Sequence, residues 1–177
     1  MKQKNSVNYN WVIKIVILAF VISIMFSFIS ETVIPNLNIV VGIILAITFI
    51  LIGVIFDMIG VAVASAKEAP FHAMAANKIK GASLAIKLKK NADKVSSFCN
   101  DVVGDICGIV SGSAGAVISI KLASITGFNS LLVTLFTVGL ISSLTIGGKA
   151  LEKGFAINKS NDILYKFAKV LSIFYRK

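Results

Sequence analysis

The chain has 177 residues, 56% of them hydrophobic, with a mean hydropathy of +0.89. Soluble domains run about 45–50% apolar, so this composition excludes an ordinary water-soluble globule and leaves a chain lying largely in lipid. The formal charge is +10, from 18 Lys+Arg against 8 Asp+Glu; without the aromatic-basic interleaving of the kind that binds single strands, it argues against nucleic acid and for anionic lipid and cytoplasmic loops.

The first apolar run is WVIKIVILAFVISIMFSFIS, Trp11 to Ser30, with Lys2, Lys4 and Lys14 before or inside it. It is longer than the roughly 7–15 apolar residues of a signal peptide. Residues 1–37 are therefore expected to be a retained anchor helix and its loop, ETVIPNLN. A second run, residues 39–66, is long enough to span a hydrocarbon core about 30 Å thick and carries Asp57 near its end. The stretch KEAPFHAMAANKIKGASLAIKLKKNADK then mixes lysines with an apolar stripe through Phe71, Met74, Ile79 and Ile86. That pattern predicts a basic juxtamembrane helix over 71–94, lying on the membrane surface.

The third run, 95–120, is polar at its start and rich in small residues, and the fourth covers 130–148. The tail places Ile163, Leu164, Phe167, Val170, Leu171 and Phe174 at helical spacing, which predicts a C-terminal amphipathic helix over 160–176. Lys and Arg favour the cytoplasm. The N-terminus, the middle segment and the tail are basic, while the other two loops carry only Glu31 and Lys121. The fold class is thus an all-α membrane protein with four transmembrane helices, in the inner (cytoplasmic) membrane, with both termini cytoplasmic.

Acids inside a bilayer are expensive and default to function. The candidates are Asp57, Asp101 and Asp105. Asp101 and Asp105 are four apart and share a helical face. Two carboxylates there repel unless a proton or a cation sits between them, and magnesium takes oxygen ligands of this kind together with water. The second and third spans run in opposite directions, so Asp57 and Asp101 are expected at one depth. Ser111 and Thr145 are weaker candidates, since membrane hydroxyls are more often packing glue than ligands. Gly104, Gly108 and Gly112 form a ridge along which a neighbouring helix is expected to approach.

Cys99 and Cys107 lie about 12 Å apart along a helix, too far for a disulfide. His72 is the only histidine, in the basic segment. No nucleophile elbow, phosphate loop or zinc motif is present, so an enzyme is not expected and no resident cofactor is implied.

Residues from about 40 to 177 resemble the transmembrane domain of the CorB/CorC/cyclin-M family of magnesium and cobalt transport proteins. Four segments carry the resemblance in order. FDMIGVAVAS, 56–65, is similar to the family's F-S-A-S-E-T-A-L-x-S, with Asp57 on the first serine, Ile59 on the second and Gly60 on the glutamate. AIKLKKNADKVSS, 85–97, is similar to A-L-K-L-x-x-N-P-E-K-x-L-S. NDVVGDI, 100–106, resembles G-N-N-L-V-N-I after a two-residue slip, placing Asp101 and Asp105 on two asparagines. GKALEKGFA, 148–156, is similar to G-E-I-L-P-K-T-L-A at Gly148 and Lys153 but departs at Lys149 and Glu152.

The resemblance implies a magnesium ion held between the helices by residues of the serine and asparagine segments. Acids at Asp57, Asp101 and Asp105 would bind a divalent ion more tightly or differently. The family's nucleotide-sensing and C-terminal soluble domains have no counterpart here. The expected role is transport or export of Mg2+ or Co2+ by a homodimer. The alternative is a membrane scaffold or regulatory subunit that keeps the fold and transports nothing.

Overall fold

The computed structural model describes residues 9–174, and every regular element among them is a helix. Lys2 and Lys4 lie outside the described residues, as do the last two positions of the tail helix expected over 160–176. Four helical stretches are long and apolar enough to cross a membrane: Tyr9–Asn36, Ile39–Ser65, Ala92–Thr126 and Ser130–Asn158.

Helix α1 (Tyr9–Val33) gives way to a single 3-10 turn, Ile34–Asn36, at Pro35, where a proline cannot continue the α-helical ladder. Asn38 then starts α2 (Ile39–Ser65): its side chain accepts the Val40 N–H at 3.1 Å, satisfying a donor the new helix leaves free. Asn129 does the same for α7 (Ser130–Asn158), accepting the Leu131 N–H at 2.9 Å.

The basic segment is not one helix. It forms α3 (Ala69–Ala76), α4 (Ala82–Lys90) and α5 (Ala92–Ser97). Lys78 and Gly81 interrupt it, with φ of +54° and +90°. The Ile79 N–H bonds back to the Met74 carbonyl at 3.0 Å and the Lys78 N–H to Ala75 at 2.9 Å. That pair of bonds is a Schellman stop, with a lysine where glycine is usual. Gly81 has a second constraint, because a Cβ there would sit 3.0 Å from the Lys169 backbone of α8 (Ser160–Phe174).

Helix α5 runs on through a wider π-helical segment, Phe98–Gly104, into α6 (Asp105–Thr126). Helix α6 is the centre of the bundle and packs on α2, α7 and α1. Its buried seam runs Gly104, Cys107, Ser111, Ala114 and Ile118, in alternating steps of three and four. That heptad-like spacing suits helices crossing at a shallow angle. The expected ridge at every fourth residue drifts about 40° per step off such a seam. Accordingly only Gly104 of that ridge is packed, and Gly108 and Gly112 have nothing within 4 Å of a Cβ position. Close approach is provided instead by Gly53 of α2, where a Cβ would meet Cys107 Cβ at 3.0 Å. The Ser119 and Thr134 hydroxyls bond each other at 2.9 Å between α6 and α7.

At the end of the bundle where α2 and α7 finish, the short helices and α8 build a small core of their own. Phe71, Ala85, Leu164 and Ala168 are buried there against Ile59, Val63 and Cys99. Lys89 Nζ donates to the Val63 and Ala64 carbonyls at 3.2 and 2.8 Å, covering two of the last free acceptors of α2. Asn161 accepts the Lys67 N–H at 2.8 Å, which ties the start of α8 to the chain just beyond α2. Cys99 and Cys107 are free and buried.

Candidate cation site between α2, α7 and the π segment

Helix α7 does not stop at Gly148, where the apolar run fades, but continues for ten residues to Asn158. Nothing in KALEKGFAIN breaks a helix, and Gly148, Glu152 and Ala156 keep one face turned inward. Gly148 lies against Val54 of α2, and Glu152 and Ala156 are 8% and 0% exposed. Glu152 is thereby carried into the bundle beside Asp57 of α2. No N–H or O–H donor reaches either Glu152 oxygen among the described residues, and the Asp57 carboxyl lies within hydrogen-bonding reach of it.

A buried carboxylate with no donor, facing a second carboxylate, is costly. It calls for a proton or a cation between the two groups. By helix rise, Asp57 sits about 12 Å inside the end of α2 and Glu152 about 9 Å inside the end of α7.

Lys149, one turn before Glu152, is the cation at hand. A Cβ on Gly104 would lie 3.6 Å from Lys149 Nζ and 3.8 Å from Asp57 Oδ1, so the missing side chain leaves room for both groups. Lys149 Nζ nonetheless points to Asp105 Oδ1, at 3.3 Å. Asp57, Glu152, Lys149 and Asp105 thus form one chain of charges across three helices.

The π segment supplies a further oxygen. Asn100 packs against Gly60, one turn beyond Asp57 on α2, so closely that a Cβ on Gly60 would collide with the Asn100 side chain. Asn100 Oδ1 is buried and unpartnered. Wide π turns of this kind frequently occur at functional sites.

The residues singled out from the sequence fare differently. Asp57 and Asp105 share the neighbourhood: Lys149 pairs with Asp105 and borders the same Gly104 gap as Asp57. Asp101 does lie on the outward face with Asp105, but it is exposed and makes no hydrogen bond or ion pair among the described residues. The inward positions of this stretch belong to Cys99, Val102 and Ile106. The Ser111 hydroxyl donates to the Gly108 carbonyl at 3.0 Å and Thr145 to Ile141 at 2.9 Å, so both are satisfied within their own helices. Among the described residues no three His, Cys, Asp or Glu side chains gather as a metal-holding group. The oxygens at hand are two carboxylates and, one turn along α2, the Asn100 amide; magnesium commonly takes one or two carboxylates from protein and keeps several waters. No family model matches the chain, and no curated protein or solved structure matches it.

Proposed function

We propose that the chain is an integral membrane protein that binds and moves a divalent cation, of the Mg2+ or Co2+ class, through the Asp57–Glu152 pair. One observation carries this reading: Glu152 is 8% exposed, faces Asp57, and has no donor on either oxygen. A dication between the carboxylates would cancel both charges and accept Asn100 Oδ1 and water as further ligands. Lys149 then acts as a tethered competitor. Its ammonium sits on Asp105, on the far side of the Gly104 gap from a dication held at Asp57. The ordered resemblance of four segments to the CorB/CorC/cyclin-M transmembrane domain supports the same class of cargo. In this reading α3, α4 and α8 lie at the cytoplasmic surface of the inner membrane.

Calorimetry on the purified protein in detergent tests it. Mg2+ or Co2+ should bind the wild type, and Glu152→Gln or Asp57→Asn should weaken binding at least tenfold, while Asp101→Asn leaves it unchanged. No binding by folded wild-type protein would overturn the proposal.

A second reading, a membrane scaffold or regulatory subunit, draws on the lack of any three clustered ligand side chains among the described residues. It expects folded wild type and all three variants to be alike in showing no heat of binding.

A further inference from the structure

A separate feature lies where α7 passes into α8. The cleft between these two helices, floored by Met58 of α2, encloses about 480 Å³. That is within the range of roughly 300–1,000 Å³ typical of small-molecule sites. Its walls are apolar, with Phe155 from α7 and Phe167 and Val170 from α8. Phe155 and Val170 are 56% and 55% exposed, so the walls open onto the apolar outer surface of the bundle. Lys159 and Lys166 stand at the same cleft with Asp162 between them in sequence. Neither lysine's ammonium makes an ion pair or hydrogen bond among the described residues, and the cleft is net cationic.

An apolar trough opening on the lipid face, with two uncommitted ammonium groups where a spanning helix ends, matches one ligand chemistry. Basic pockets of this kind beside spanning helices take anionic lipid headgroups, and lysine stems lie along apolar surface while their charges reach the interface. A free anion would use the lysines and leave the aromatic walls uncovered. A second copy of a chain carrying +10 meets its own charge there. We propose that the cleft between α7 and α8 holds one anionic phospholipid, its phosphate on Lys159 and Lys166 and an acyl chain along Phe155, Phe167 and Val170.

Native mass spectrometry of the protein released from micelles containing equal phosphatidylglycerol and phosphatidylcholine tests this. The wild type should retain one phosphatidylglycerol at least fivefold over phosphatidylcholine. The Lys159→Gln/Lys166→Gln variant should lose that preference, and Lys159→Arg/Lys166→Arg should keep it. A Lys78→Gln/Lys80→Gln variant, altered away from the cleft, should match the wild type. Inorganic phosphate at millimolar concentration should not displace the lipid. Equal retention of the two lipids by the wild type would overturn the proposal. So would a preference that survives the double glutamine variant, an equal loss in the Lys78/Lys80 control, or displacement by phosphate. The readout needs no divalent cation, so it stands or falls apart from the Asp57–Glu152 site.

Discussion

Lys149 Nζ is 3.3 Å from Asp105 Oδ1 and borders the same Gly104 gap as Asp57. A fixed ammonium beside two carboxylates opposes a dication there by simple repulsion. Lys149→Met should therefore raise divalent-cation affinity by about tenfold, the effect of roughly 1.4 kcal/mol of removed repulsion. Titration calorimetry reads it directly, and an unchanged or weaker affinity would mean that Lys149 orders the site rather than competing for it. At this scale the sequence was partly legible. Asp57 stands out because an acid in an apolar run is expensive. Glu152 does not, because the hydropathy fades after Gly148 and the residue reads as part of a charged tail. The signal that would have found it is the four-residue spacing of Gly148, Glu152 and Ala156, two small residues bracketing an acid on one helix face. For Asp101 the legible part was the shared face with Asp105; that this face is exposed was not legible, because spacing alone does not say which way a face turns.

Between α3 and α4, Lys78 holds a left-handed conformation at φ +54° in a Schellman stop. A non-glycine residue there costs roughly 1–2 kcal/mol, of which glycine's greater chain entropy returns about 0.5–1. Lys78→Gly should thus stabilise the protein by roughly 0.5–1 kcal/mol, seen as a higher thermal midpoint in detergent; a lower midpoint would show that the lysine side chain contributes more than its backbone costs. Where α2 meets α6, the sign reverses. Gly53→Ala puts a methyl 3.0 Å from Cys107 Cβ, an atom fixed to the backbone that cannot rotate away. The helices must part, at a cost of about 1–3 kcal/mol for overpacking, and the thermal midpoint should fall, whereas Gly112→Ala, with nothing within 4 Å, should raise it slightly, by the roughly 0.5–1 kcal/mol that alanine gains over glycine inside a helix. Equal effects of the two alanines would show that helix flexibility rather than the close contact matters. The long helices were readable from apolar length alone. Their meeting faces were not, because several glycines are spaced for packing and only the seam of the neighbouring helix selects among them.

Across the whole bundle, charge is sorted by end. Helix α1 starts, α2 finishes, α6 starts and α7 finishes at the same end, and every described lysine except Lys121 lies there or on the short helices beyond it. Lys121, at the opposite end, is held by the Leu37 carbonyl at 2.7 Å, closing the turn between α1 and α2. Lys and Arg near spanning helices favour the cytoplasm, so the proposed orientation takes the lysine-rich end to that side. In that orientation Asp57 and Glu152 would lie about 9–12 Å in from the cytoplasmic end of the bundle, so a cation arriving from the cytoplasm would meet them early and one arriving from outside would cross most of the bundle first. Single cysteines in a Cys99→Ala/Cys107→Ala background decide the orientation. Asn129→Cys, in the exposed turn between α6 and α7, should react with a membrane-impermeant maleimide added outside right-side-out vesicles. Asn77→Cys, exposed between α3 and α4, should react only after the vesicles are opened. The reverse pattern would place the lysine-rich end outside and turn the proposed route around, with Asp57 and Glu152 near the outer mouth. Labelling of both sites without opening would mean that the four apolar helices do not all cross.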